Sequence, residues 1–170
     1  EKAGIIKSGC PVVSALQEEA AMQVIEAIAE EKGCKLTVAQ PAEVKKVRYG
    51  LEKQRFDYKT WKNLEITLAG NHQIDNALLA IKVLEELNDL GYAVSEKALR
   101  KGLQETKWPG RFTVVGKKPY FIVDGAHNAD AAKKLAETIE FYFTNRRIIF
   151  IMGVLRDKEY DRIIEQTHKY

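Results

Sequence analysis

The chain has 170 residues, of which 45% are hydrophobic and 30% are charged, and its formal net charge is +3. These values are typical of a globular protein with one domain or parts of two, and the absence of a long basic run argues against a nucleic-acid partner. The two cysteines have no histidine near them at metal-ligand spacing, which disfavours a zinc motif or a disulfide framework and fits a cytoplasmic protein. No apolar run approaches the roughly 20 residues of a membrane-spanning helix. Because the first residues look like the middle of a structured segment, we expect a fragment of a longer protein.

The first 40 residues alternate between predicted strands and a helix. Short apolar runs predict strands at 10–14 and 35–38, and an amphipathic pattern predicts a helix at 18–32 between them. This order is typical of a parallel sheet, so we interpret the region as the end of a parallel-sheet domain. The predicted buried face of the helix comprises Ala21, Val24, Ile25 and Ile28.

The pattern then changes to short runs with partial alternation over residues 44–68, which predict antiparallel strands. A strong helix is predicted from about residue 71 to Gly91, and Ser95 is predicted to cap another helix. The apolar stripe of the first of these helices comprises Ile74, Ala77, Leu78, Ile81, Leu84 and Leu87. Asn76 lies beyond its capping positions, where asparagine has poor helix propensity, so either another interaction keeps it there or it faces solvent.

Residues 108–111 (WPGR) predict a rigid turn, and we place the domain boundary there, between residues 1–108 and 109–170. An arginine held by a Pro-Gly turn next to a strand is well placed to bind an anion with both guanidinium nitrogens. The alternative is that Arg111 is an ordinary surface arginine.

After this turn the chain again has an α/β pattern. Strands are predicted at 112–115, 120–123 and 147–152, the second of them buried on both faces. Helices are predicted at 129–143 and from about Asp157. The inward residues predicted for the first helix are Ala131, Ala132, Leu135, Ala136 and Ile139, and for the last helix Tyr160, Ile163 and Ile164.

The turn at residues 124–128 (DGAHN) joins the strand at 120–123 to the helix that Asn128 is predicted to cap. Gly125 is expected to supply a positive φ. Asp124 and His127 would then lie at the carboxyl end of a strand and beside a helix N-terminus, where α/β proteins bind ligands. The alternative is structural, with Asp124 as a turn former and His127 as a cap or surface residue.

Five stretches considered together carry a family resemblance. They are residues 1–9 (EKAGIIKSG), 70–77 (GNHQIDNA), 108–112 (WPGRF), 123–128 (VDGAHN) and 153–158 (GVLRDK). In this order they resemble the folylpolyglutamate synthase/dihydrofolate synthase family of Mur-ligase-like ATP-dependent amide ligases. The resemblance implies an α/β fold in which residues 1–108 end a P-loop-type ATPase domain and residues 109–170 begin a Rossmann-like C-terminal domain. The family's Gly-rich phosphate loop, which ends in G-K-[ST], does not occur in this sequence.

The resemblance also implies roles for five residues. Lys2 matches a lysine that the family carboxylates to help hold magnesium, and His127 matches a histidine near the phosphates and the incoming amino acid. The residues that match ATP contacts in the family are Asn76, Arg111 and Asp124. Where the family usually has proline after the D-G-A-H-N motif, this chain has Ala129.

The implied activity is ATP-dependent addition of L-glutamate to a folate through an acyl phosphate, with ATP and magnesium as cofactors, in a cytoplasmic monomer. A Mur-type cell-wall ligase is the close alternative. A non-catalytic nucleotide-binding module is the alternative from another class, although no G-x-G-x-x-G follows a predicted strand. The isolated 170-residue chain is expected to be inactive.

Overall fold

A computed structural model describes residues 2–155, 158 and 160–170. The predicted mixed α/β fold is confirmed. The strands are β1 (Val12–Ala15), β2 (Leu36–Ala39), β3 (Val44–Arg48), β4 (Gln54–Tyr58), β5 (Trp61–Ile66), β6 (Thr113–Lys117) and β7 (Tyr120–Val123). The α-helices are α1 (Glu19–Glu31), α2 (His72–Asp89), α3 (Glu96–Glu105), α4 (Ala129–Phe143) and α5 (Tyr160–Thr167). Short 3₁₀ helices occupy Lys2–Ile5 and Pro41–Glu43.

The chain divides into two compact units, each built from more than one segment. The first unit contains residues up to 48, with 55–66 and 74–105, and the second contains 49–54, 67–73 and 106–170. The assignment of 1–108 and 109–170 to two domains stays a prediction. No helix in the described part of the chain combines the length and apolar character needed to cross a membrane.

The first unit begins with the predicted β-α-β arrangement. β1 pairs in parallel with β2, and α1 connects them, as the sequence pattern predicted. The predicted inward face of α1 is wrong in part: Met22 and Ala29 are buried, whereas Ala21 and Val24 are exposed. Apolar residues occur around much of this helix, so its periodicity did not determine which face is buried.

The core of the first unit lies between a three-stranded sheet, ordered β3-β4-β5, and helices α2 and α3. The predicted antiparallel pairing is confirmed for β3 and β4. The predicted stripe of α2 is also confirmed, since Leu78 and Ile81 are at most 1% exposed. The buried members of this core are Ala39, Phe56, Tyr58, Leu64, Ile66, Ile74, Ala77, Leu78, Ile81 and Leu99.

The second unit contains an antiparallel hairpin, β6-β7, together with α4 and α5. The prediction that residues 120–123 form a strand buried on both faces is wrong, because Tyr120 and Phe121 are 52% and 56% exposed. In the described part of the chain, β7 pairs only with β6. The inward residues predicted for α4 are confirmed, with Ala132, Ala136 and Ile139 buried.

Two further expectations for this unit are corrected. Residues 147–152 do not form a strand, because no described strand pairs with them, and Ile149 and Ile151 are more than 80% exposed. Helix α5 buries Ile163 as predicted, but Tyr160 and Ile164 are exposed. Asp157, the predicted start of this helix, lies outside the described residues.

Candidate functional site

The turn that carries Arg111 is held by hydrogen bonds within its own segment. The N–H of Arg111 donates to the carbonyl of Trp108 at 3.2 Å, and that of Gly110 donates to Thr113 Oγ1 at 3.0 Å. The predicted turn is confirmed, and within it Gly110 has a φ of +80°, which glycine adopts without strain. Phe112, two residues later, also has a positive φ, of +45°, although its side chain is bulky.

Asp124 joins this turn to the segment that follows β7. Its Oδ2 accepts a hydrogen bond from the N–H of Phe112 at 2.8 Å, and its Oδ1 accepts one from the N–H of Ala126 at 2.8 Å. The half-buried carboxylate therefore stabilises two turns at once. Each carboxylate oxygen keeps further acceptor capacity, so these bonds are compatible with an additional hydrogen-bond donor from a ligand.

Gly125 contributes close approach and not the positive φ that was expected, since it is absent from the residues with positive φ in the described chain. Its N–H donates to the carbonyl of Gly110 at 2.7 Å. A Cβ placed on Gly125 would lie 3.2 Å from that carbonyl oxygen and 3.8 Å from Arg111 Nη1. Glycine here lets the two turns lie against each other and leaves the Arg111 guanidinium beside the backbone of residue 125.

His127 and Asn128 form the entrance to α4. The side chain of Asn128 accepts a hydrogen bond from the N–H of Ala131 at 2.8 Å, which confirms the predicted cap. His127 is exposed, and its Nδ1 lies 2.8 Å from the carbonyl oxygen of Gly125. In the neutral tautomer this contact places the proton on Nδ1, so Nε2 can accept a proton or a hydrogen bond.

The structure thus brings three of the predicted site residues together in the second unit: Arg111, Asp124 and His127. They lie around Gly125, four residues before the start of the 15-residue helix α4, and the dipole of a helix N-terminus favours anions. Arg111 is exposed, and among the described residues no acidic side chain forms an ion pair with it. The arrangement is chemically suited to a phosphate or carboxylate group.

The other two predicted residues lie in the first unit. Lys2 is exposed and begins the 3₁₀ helix Lys2–Ile5. Asn76 is exposed in the second turn of α2, where it was predicted to lie. Their participation in one site with Arg111 stays a prediction.

Metal ligands are not clustered in the described part of the chain. No group of three or more His, Cys, Asp or Glu side chains there could hold a metal ion.

Sequence reasoning missed one buried polar side chain of the second unit, Gln54. It is fully buried, and its Nε2 donates to the carbonyls of Leu68 at 2.7 Å and Gly70 at 2.8 Å. These bonds hold the loop that leads into α2, which begins at His72. A glutamine in a short strand suggests a solvent-facing position, and no local signal marks its distant carbonyl partners.

Comparison with known proteins supports the resemblance found in the sequence. The family described as Mur ligase, glutamate ligase domain matches residues 110–169. A dihydrofolate synthase/folylpolyglutamate synthase of Bacillus subtilis is 38% identical over 98% of this chain and 40% of its own length. The protein of the same name from Escherichia coli is 30% identical over 94% of the chain and 36% of its own length.

Solved structures are similar over nearly the whole chain. An FPGS-AMPPCP-folate complex is 27% identical with a TM-score of 0.88 and covers 99% of this chain and 42% of its own. A Mycobacterium tuberculosis folylpolyglutamate synthase complexed with ADP is 26% identical with a TM-score of 0.86. The match covers 99% of this chain and 39% of that synthase. The chain spans about 40% of the length of the relatives that it matches.

Proposed function

Since the chain belongs to the folylpolyglutamate synthase/dihydrofolate synthase family, we propose that its protein is an ATP-dependent ligase that adds L-glutamate to a folate. The observation that carries the proposal is the cluster of Arg111, Asp124 and His127 around Gly125, four residues before the start of α4. It lies within the 110–169 segment that matches the glutamate ligase domain. A guanidinium carried by a hydrogen-bonded turn shortly before a helix N-terminus suits the phosphates of a nucleotide.

The chemistry needs charge stabilisation more than an acid–base pair. A folate carboxylate oxygen attacks the γ-phosphorus of ATP, which forms an acyl phosphate and releases ADP. The α-amino group of glutamate then attacks the acyl carbon, forms the amide and loses a proton, while inorganic phosphate leaves. Arg111 and the α4 N-terminus would stabilise the negative charge on the transferred phosphoryl group.

Asp124 and His127 would have separate parts in this reaction. Asp124 keeps its turns in place and offers its remaining acceptor capacity to the nucleotide. His127 holds a hydrogen on Nδ1 toward Gly125, so its Nε2 would face the phosphates or the incoming amino group. Asn76 is the proposed nucleotide contact from α2.

Magnesium and Lys2 belong to the same proposal. When bound, magnesium would neutralise charge on the ATP phosphates. Lys2 is the residue proposed to be carboxylated, and as a carbamate its oxygens would be available to that ion. Among the described residues there is no further cluster of metal ligands, so most of the coordination would come from ATP and other groups.

The chain spans about 40% of the length of its relatives, so the activity of the complete protein is inferred from more than this segment. The sequence contains no G-K-[ST] phosphate loop, which P-loop enzymes use to bind ATP phosphates. The 170-residue chain alone is therefore expected to lack ligase and ATPase activity. We further propose that the complete protein is a cytoplasmic monomer.

An assay of ADP release by a complete ligase containing this sequence tests the function. Release should require both a folate and L-glutamate, and the 170-residue chain alone should release none. Release with a nucleotide-linked peptide acceptor, and none with folate, would favour a Mur-type cell-wall ligase. ATP binding without ADP release under any acceptor would favour a non-catalytic module.

A further inference from the structure

Cys10 and Cys34 occupy matching positions ahead of the two parallel strands of the first unit. Val12 of β1 lies opposite Leu36 of β2, and each cysteine precedes its strand's first residue by two positions. Neighbouring strands lie about 4.8 Å apart. If the two segments continue side by side before the strands begin, Cys10 lies opposite Cys34, because each is two residues before a member of the Val12–Leu36 pair.

Hydrogen bonds keep these two segments together at both sides of the cysteines. The N–H of Gly9 donates to the carbonyl of Lys32 at 3.2 Å, and that of Val12 donates to the carbonyl of Lys35 at 2.8 Å. The segments therefore already run side by side across the cysteine positions.

The two cysteines also share one acceptor. The backbone N–H of Cys10 and the thiol of Cys34 both donate to the carbonyl oxygen of Lys7, at 3.2 Å and 3.1 Å. The Cys34 sulfur and the Cys10 backbone nitrogen therefore both lie within 3.2 Å of the same carbonyl oxygen. Cys10 is exposed and Cys34 is partly exposed, so a small reagent can reach the pair.

We propose that Cys10 and Cys34 form a modification site, a dithiol that a small disulfide such as glutathione disulfide oxidises reversibly to an intramolecular disulfide. Disulfides require Cα atoms about 4.4–6.8 Å apart, which matches the spacing of neighbouring strands. Both thiols are free in this structure. The proposal is independent of the ligase function.

The exchange proceeds in two balanced steps. The Cys10 thiol loses its proton, and the thiolate attacks glutathione disulfide to form a mixed disulfide and release one glutathione thiolate. The Cys34 thiolate then attacks the Cys10 sulfur, forms the Cys10–Cys34 bond and releases the second glutathione. Two electrons pass from the cysteines to glutathione disulfide, and the released thiolates take up the two protons.

The disulfide would close a loop that contains α1. It would join the turn at residues 7–10, which follows the 3₁₀ helix Lys2–Ile5, to Cys34, the third residue after the end of α1. The segment that carries Lys2 would then be tied to the β1-β2 sheet by a covalent bond. Reduction would return it to hydrogen bonds alone.

Equilibration of the protein with mixtures of reduced and oxidised glutathione tests the proposal. Intact mass after acid quenching should show a monomer that has lost two hydrogen atoms, and peptide mapping should join Cys10 to Cys34. The effective concentration of the two thiols should be at least about tenfold higher in the folded protein than in the same chain in urea. The single variants Cys10→Ser and Cys34→Ser serve as matched controls and should form only the mixed disulfide.

Three results would overturn the proposal. The first is that both thiols of the parent protein stay free while those of the single variants react. The second is a product that carries two glutathiones, and the third is a disulfide that joins two chains. An effective concentration no higher in the folded protein than in urea would also overturn it, because the fold would then not bring the thiols together.

Discussion

Asp124 and the backbone of Phe112 are joined by a 2.8 Å hydrogen bond from the Phe112 N–H to Oδ2. Phe112 is 5% exposed and has a φ of +45°, a conformation that costs a bulky residue free energy. The charged acceptor at Asp124 compensates for that cost and sets the position of Arg111, the residue before Phe112. The conformation of the turn therefore depends on a carboxylate 12 residues after Phe112 in the chain.

The Asp124→Ala variant is expected to unfold more easily, by about 1.5–3 kcal/mol, because two backbone N–H groups lose a charged acceptor. Asp124→Asn keeps one acceptor oxygen and should lose less. Urea denaturation followed by circular dichroism measures both. Asp130→Ala is the control, since exposed Asp130 contributes only a helix-terminal charge of about 0.3–1 kcal/mol. Equal losses at positions 124 and 130 would contradict the role given to Asp124.

Gly70 and Gly102 form a second matched pair. Gly70 has a φ of +105°, and a Cβ there would lie 2.7 Å from Cε1 of His72, so Gly70→Ala should cost more than about 1 kcal/mol of stability. Gly102 lies inside α3 with nothing within 4 Å of a Cβ, so Gly102→Ala should stabilise the protein by about 0.5–1 kcal/mol. Denaturant midpoints measure both changes. A neutral Gly70→Ala would show that the loop into α2 tolerates rearrangement.

Glu86 should make stability depend on pH. Hydrogen bonds from Lys35 at 2.8 Å and Thr37 at 2.6 Å hold the pKa of its carboxyl below the ordinary value of 4.5. Because the folded pKa is the lower one, this contribution is present above the unfolded pKa and is lost as pH falls through the folded pKa. Denaturation midpoints from pH 7 to pH 3 should therefore fall less steeply for Glu86→Gln than for the parent.

The control for that measurement is Glu26→Gln, because Glu26 is exposed on α1. Its denaturation midpoint should fall between pH 7 and pH 3 as steeply as that of the parent. If the midpoint of Glu86→Gln falls as steeply with pH as that of the parent, the two hydrogen bonds do not favour the ionised carboxyl over the protonated one.

The His127→Ala variant of a complete ligase should lose turnover by roughly 10- to 100-fold, the value of a charge-assisted hydrogen bond, while folate affinity changes little. The reason is the position of His127 beside the α4 N-terminus, where phosphate or the incoming amino acid would bind. Steady-state kinetics and folate binding measure the two quantities. His168→Ala, at an exposed histidine, should leave both unchanged. A loss confined to folate affinity would place His127 elsewhere in the reaction.

Local signals were enough to predict several parts of the fold and site. The ends of α4 followed from Asn128 as a cap and from the apolar spacing of Ala132, Ala136 and Ile139, all of which act within one helix. The turn at Gly110 followed from the Pro-Gly pair for the same reason.

The features that the sequence did not predict depend on contacts between distant segments. Phe112, with its positive φ, donates its N–H to Asp124, and buried Gln54 donates to the carbonyls of Leu68 and Gly70. The exposure of β7 depends on what packs against its two faces, which an apolar run cannot reveal. These are tertiary effects that override local preference.

The affinity of a complete ligase for ATP after the change Arg111→Ala tests the central claim most directly. Loss of one charged partner should weaken ATP binding by about 1.5–3 kcal/mol, or roughly 10- to 100-fold, with an unchanged circular dichroism spectrum. Arg146→Ala removes an exposed arginine just beyond the end of α4 and should leave ATP affinity as it was. Equal ATP affinity in the parent and in Arg111→Ala would contradict the assignment of this turn to nucleotide binding.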